Sequence, residues 1–439
     1  MNVITRILLI GIMSVVSFVV TAKSKELKMN FDTQGKKYFK VTFLNQVWLR
    51  ASELNPGSTL DGFPVNDMWD VGLRRTRMQV FSKFSDKGFF YAQIGQNNLG
   101  FNTPRKQGVF IHDAIAELEL AKRKLSVGTG LTGWGGVSRY AAPAAGSILG
   151  MDAPLYQQAT VDVNDQFVRK YSVYAKGKLG KLDYRVAVSK PMTIKNSVPA
   201  STPISHDIAS FSLAPPKAQF HGYFMYQLKD EEANSVPYMA GTYLGEKEVL
   251  TIGVGGLHQS KAMWHLTPLK NDTSYQHMQI VNVDVFYEKP FSNTKRNALT
   301  LYGSIGYQNF GKNYIRNLAP MNPANGTNKM NMLNGGGTAA PLIGTGNTAF
   351  VQMGYKFKDQ LFSKWGTLQP YVSIQTSQFK LINNRMNLYN VGLNWLIDGA
   401  QSKISIDLQN RPIYTLNDVS KWQSTSRKGM VVVQYQVLL

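Results

Sequence analysis

A Gly-x-Gly-x-x-Gly turn, "GTGLTG" at 128–133, is followed about twenty residues on by Asp152, the spacing of a dinucleotide-binding fingerprint. That chemistry needs a strand before the turn and a helix after it. Here an alternating segment leads in and "WGGVSRYAAPAAG" leads out, so nucleotide binding is not expected. The six histidines, at 112, 206, 221, 258, 265 and 277, include no pair at metal-ligand spacing on one element. Cysteine is absent, which removes thiolate metal sites and disulfides together. His221 beside a hydroxyl of a neighbouring strand is where a hydrolase would have to be built. A hydrogen-bonded interior histidine is the plainer reading, so no catalytic residue, cofactor or metal is expected and the chain is not read as an enzyme.

Charged side chains within strand-like segments are more informative. In "VGLRRTRMQVFSKFSDKGFFYAQIGQ", residues 71–96, apolar side chains fall at every second position and three arginines stand between them. A strand of this kind faces oil on one side and water on the other. Comparable segments recur at 40–52, 69–84, 88–97, 109–121, 124–131, 166–177, 181–192, 217–229, 248–259, 277–288, 295–309, 347–357, 367–380, 386–397, 402–411 and 428–439. Their connections alternate between tight turns such as "SDKG" (85–88) and "DGAQ" (398–401) and long loops such as 132–165 and 310–346. An even number of about sixteen strands, with short periplasmic turns and long extracellular loops, predicts an all-β, antiparallel transmembrane barrel. Two connections depart from the rule. Residues 230–248 are long where a short turn is due, and 381–385 are short where a loop is due. The first reads as a structured periplasmic excursion, unless "PYMAGTYLG" within it is itself a strand.

Alternation then assigns faces. In 108–121, Phe110, His112, Ala114, Ala116, Leu118 and Leu120 form the lipid-compatible set, against Asp113, Glu117 and Glu119. A water-soluble sandwich would not need turns that alternate in length. With Met78, Val80 and Phe84 toward lipid, Arg75, Arg77 and Gln79 face the lumen; Arg74 falls on the lipid side unless a bulge resets the register. The expected lumen-lining basic residues are Arg75, Arg77, Lys170, Lys176, Arg185, Lys356, Lys403 and Arg411, with Arg139 presented by the 132–165 loop if that loop folds inward. The acidic ones are Asp113, Glu117, Glu119, Asp183, Asp284 and Asp407. They either pair and stiffen the wall or set up a transverse field that sorts solutes by charge. Aromatics near strand ends, among them Phe89, Phe90, Phe286, Tyr287, Tyr355 and Trp395, suit interfacial girdles.

Arg6, an apolar run from Ile7 to Val20 and the ending Val20-Thr21-Ala22 give residues 1–22 the layout of a signal peptide. Residues 23–39 read as a basic periplasmic segment, and 40–439 as the barrel. Net charge is +21, and +20 without residues 1–22, which hold only Arg6. Export and the lack of a groove-reading helix argue against nucleic acid as the partner. Lipopolysaccharide and lipid phosphates and small anionic solutes fit the charge better.

The "LRRTRMQVFSKFSDKGFFYAQIG" hairpin, "HDAIAELEL" after it and "VRKYSVYAKGKLGKLDYRVAVS" resemble porins of the phosphate-selective porin O and P family. The resemblance implies a sixteen-stranded outer-membrane barrel, commonly trimeric, that passes small anions, with Arg75 and Arg77 in the arginine-bearing early strand. Residues 132–165 lack the dense lysine and arginine of a phosphate-binding constriction, and the chain ends in Leu439 rather than an aromatic. The expectation is a passive channel for small hydrophilic solutes with anion preference. The alternatives are a closed barrel that serves as scaffold for surface or periplasmic proteins, and an outer-membrane hydrolase.

Overall fold

The computed structural model describes residues 27–194, 205–268, 272–292, 294, 296–329, 332–416 and 422–439, so the expected leader, residues 1–22, lies outside the described residues. Sixteen long strands follow one another: β1 Tyr38–Glu53, β2 Asp67–Lys83, β3 Gly88–Leu99, β4 Phe110–Ala121, β5 Leu125–Thr132, β6 Lys170–Leu179, β7 Leu182–Lys190 and β8 Gln219–Gln227, then β9 Val249–Leu266, β10 Thr273–Pro290, β11 Ala298–Asn309, β12 Gly346–Lys356, β13 Thr367–Phe379, β14 Met386–Asp398, β15 Ser402–Leu416 and β16 Trp422–Leu438. Each pairs antiparallel with the next, and β16 returns to β1 from Leu44↔Leu438 to Ser52↔Met430. The sheet is therefore closed, which leaves it without an edge strand.

The alternation in the sequence is realised as alternation in burial. In β6 the order is buried, exposed, buried, exposed from Lys170 to Val173. Around the outside, Val71, Ile111, Val173, Phe220, Ile252, Val254, Val283, Ile305, Val351, Val391 and Leu408 are exposed, as an apolar belt in contact with lipid must be. A charge on this face would cost about 2–4 kcal/mol at the bilayer midplane. Among the described residues no helix is long and apolar enough to cross a membrane; the strands do the crossing.

Two bulges depart from simple parity. Between β1 and β2 the register moves from Gln46↔Arg75 to Val47↔Leu73, so Arg74 is the extra residue. Arg74 and Arg75 are consequently both buried on the inner side. Between β3 and β4 the pairing passes from Gln93↔Asp113 to Ile94↔Ile111. His112, placed with the lipid-facing set by alternation, instead turns inward and is fully buried, with Ile111 exposed in its stead. Phe286 likewise faces inward rather than joining a girdle.

Part of the basic N-terminal segment joins the sheet. Leu27–Asn30 forms a strand on the first residues of β1, from Leu27↔Val41 to Asn30↔Tyr38. Leu27, Met29 and Phe31 are exposed on that strand and the turn after it, which carries the apolar outer face below the end of β16.

Candidate functional site

The third long loop, 133–169, does not stay outside. It enters the barrel and crosses to the opposite wall. Gln46 of β1 donates to the Ala145 carbonyl (3.2 Å) and Gln436 of β16 to that of Gly146 (2.8 Å). Lys403 of β15 reaches the Ile148 carbonyl (3.2 Å), and Asn394 of β14 that of Leu149 (2.8 Å). Val137, Tyr140, Ile148 and Tyr156 of the loop pack with Val249, Met278, Phe286, Tyr302 and Phe350 of the wall. Glycine permits the approach at Gly255 of β9, where a Cβ would stand 2.1 Å from the Val137 carbonyl oxygen.

The long connection between β8 and β9, residues 228–248, rises from the short-turn end to meet this loop, and it contains no strand. Met239 and Pro143 form a parallel bridge. The Met239 amide donates to Ala142 (3.0 Å) and the Ala144 amide to Met239 (2.9 Å). Arg139 of the loop is held by Glu232 of the insert at 2.5 Å, by the Ala240 carbonyl at 2.7 Å, and over the Phe286 ring at 3.7 Å. Burial disfavours both charges, yet each overrides it in the other: the Glu232 carboxyl is held below its usual range and the Arg139 guanidinium above. Tyr243 and Thr251 also donate to Glu232.

At the far side of the lumen the loop offers Asp152. Arg74 bonds its Oδ2 through Nε (3.1 Å) and Nη2, and Arg75 bonds its Oδ1 through Nη2 (2.6 Å). Burial raises the Asp152 pKa, and the two arginines outweigh that and leave it at about 2. Arg77 and Arg169 stand over the Phe167 ring at 5.5 and 6.0 Å. Arg77 donates to Asn97, whereas Arg169 pairs with Asp113 (3.3 Å). Four guanidinium groups thus share two carboxylates in one region of the lumen.

The remaining residues expected in the lumen all lie on the inner side of the wall, and most bond an inserted segment or a neighbour. Lys176 pairs with Glu117 (3.0 Å) and reaches the Asn234 carbonyl. Arg185 binds Asp183 (3.2 Å) and the Pro237 carbonyl (3.1 Å). Lys170 pairs with Asp165 (3.4 Å). Asp284 accepts from the Arg139 amide (3.0 Å) and from Tyr223 (2.7 Å), and Asp407 from Tyr371 (2.6 Å) and Asn390 (2.7 Å). Glu119 accepts from the Arg123 amide at the short-turn rim, and Lys356 binds Asp359 there. Arg411 ties the outer loops together through Asn55 (3.1 Å) and the Glu53 carbonyl. Parity reasoning placed Arg74 inward only if a bulge reset the register, as one does, and missed Asp152, Arg169 and Glu232. The only signal for Arg74 was two arginines in succession, which alternation cannot place on one face. His221 packs on Gly135 of the third loop, and no side-chain hydroxyl bonds its ring in the described residues.

Space remains between these parts. A chamber of about 90 Å³ lies beside Asp152, bordered by Trp48, Met151, Pro320, Tyr371 and Asp407. A cavity of about 20 Å³ touches Arg75, Arg77 and Arg169. Near the short-turn end, Lys83, Lys87, Arg123, Lys176 and Lys178 edge a vestibule of about 320 Å³.

No protein-family model and no curated relative matches the chain. Solved structures do match. Pseudomonas putida OprB in its high-pH structure is similar at 10% identity, over 92% of this chain and 95% of that one, with a TM-score of 0.54. Salmonella typhi OmpF in complex with daunomycin is similar at 10% identity, over 93% of this chain and all of that one, with a TM-score of 0.50. These likenesses are of fold. With the closed sheet and the apolar belt, they define the chain as a sixteen-stranded β-barrel of the porin type, at home in a bacterial outer membrane.

Proposed function

We propose that the protein is a passive channel for small hydrophilic solutes with a preference for anions, its aperture set by the third loop and the insert 228–248. The observation that carries the anion preference is the set of four arginines, Arg74, Arg75, Arg77 and Arg169, against Asp113 and Asp152 where the loop meets the wall. The excess of fixed positive charge in a confined, low-dielectric space favours anions and disfavours cations. Arg75, Arg77 and the other charged residues of the inner wall act in this reading as the lining that loop movement uncovers. Selectivity for phosphate rests on the sequence resemblance alone, and Arg139, the one basic side chain within 132–165, is already engaged by Glu232. Assembly as a homotrimer has the same basis.

Planar-bilayer recording under a potassium chloride gradient tests this. A reversal potential on the anion-selective side is expected, and a cation-selective one removes the anion claim. The second reading, a closed barrel that acts as a scaffold, is favoured by a separate observation: Arg75, Arg185, Lys403 and Asp183 are at most 4% exposed, covered by the inserted segments. Silent bilayers together with stoichiometric partners in native complexes would decide for it.

A further inference from the structure

We propose that Asp152 is a tethered counter-ion, whose carboxylate fills from within the chain a subsite on Arg74 and Arg75 that accepts a small carboxylate from solution. This rests on the anion-channel reading and names the solute class it serves. The geometry is that of a bound ligand. Two successive arginines, brought to one face by the bulge, close on a single carboxylate, one on each oxygen. Planar guanidinium edges against a planar carboxylate are the strongest of the charge-assisted arrangements.

The two arginines are held in place by the wall without help from Asp152. Arg74 donates from Nη1 to Asn98 (2.7 Å) and lies over the Trp48 ring at 5.2 Å. Arg75 donates from Nη1 to Gln46 (2.8 Å). The carboxylate is the accessible partner: the Asp152 side chain is 17% exposed, against 3% and 4% for the arginines. Asp152 borders the chamber of about 90 Å³, which gives its side chain room to turn, and Arg75 borders the cavity of about 20 Å³. Once Asp152 turns, two adjacent guanidinium groups are left without an anion and attract one.

Carboxylate is favoured over phosphate by Gln46, which meets Arg75 with its carbonyl oxygen. Gln46 and Asn98 present carbonyl oxygens to the arginines. Gln46 uses its amide protons on the Ala145 carbonyl and on Gln436. Gln46 therefore offers no donor to the additional oxygens of a phosphate.

Calorimetric titration of the detergent-purified full chain with succinate tests the proposal. A tethered group competes at an effective concentration on the order of mM or above, so Asp152→Asn is expected to bind succinate at least about ten-fold more tightly than the native chain. Adding Arg75→Gln should abolish that gain. Equal affinity in the native chain and in Asp152→Asn overturns the proposal. Tight binding of inorganic phosphate, with none of succinate, overturns the carboxylate class. Should Asp152→Asn fail to fold by circular dichroism, Asp152→Ser removes the tethered charge while keeping a hydroxyl that can accept from a guanidinium, and it must bind succinate more tightly than the native chain. Bilayer recordings on the same proteins separate the two ideas. Silence with the calorimetric gain present fails the channel alone, and anion current without the gain fails the subsite alone.

Discussion

Two of the buried ion-pair contacts that hold the third loop inside the barrel use the same chemistry in different surroundings. At the near end, Arg139 and Glu232 have side chains 1% and 2% exposed. A carbonyl, an aromatic ring, a phenol and a threonine complete their neighbourhood. At the far end, Asp152 meets Arg74 and Arg75 with one flank open to a chamber. What differs is where each partner could go. Arg139 and Glu232 have no space to separate into, so that contact is an anchor. Asp152 has the chamber on one flank to turn into, so in the proposal above that contact is a tether.

The comparison can be broken at either end, beginning with the anchor. Arg139→Ala leaves Glu232 buried without its cation, and such a loss typically costs about 3–5 kcal/mol. Urea unfolding of the detergent-solubilised barrel should show it, and a midpoint equal to that of the native chain would mean that the near end is not an anchor.

The tether should give less. Its carboxyl is lowered from 3.8 to about 2, which corresponds to about 2–3 kcal/mol. A depressed carboxylate pKa stabilises the fold above the unfolded-state value and ceases to do so as pH falls through the folded-state one. The stability difference between the native chain and Asp152→Asn is therefore expected in full at pH 5 and above, and to fade between about pH 4 and pH 2. A difference unchanged at pH 2 would contradict the assignment. A comparable effect is expected at the wall. Gly255→Val forces a side chain against the Val137 carbonyl, an overpacking of about 1–3 kcal/mol, and should loosen the near end without altering the pH profile of the far one.

The strands were legible because lipid and lumen impose a period of two, and charged residues such as Asp183, Arg185 and Asp407 mark the inner face by themselves. The bulge at Arg74 was legible only as an alternative, raised by two successive arginines, and that at His112 not at all, since one extra residue reverses parity without changing composition. The loop 133–169 and the insert 228–248 have no periodicity, and their seats are made by residues far away in sequence. Arg185 shows the consequence. Its face could be read from its own strand, but its bond to the Pro237 carbonyl depends on an insert whose path no local pattern records.

The seam between the first and last strands has a kinetic consequence. Gln46 and Gln436, 390 positions apart, bond each other across it at 2.7 Å, and both reach into the third loop. The docking surface for the middle of that loop is thus assembled only when the two termini of the sheet join, so internal filling must trail ring closure. Contacts of such sequence separation form slowly, and a late-maturing interior is the natural order of events for this chain.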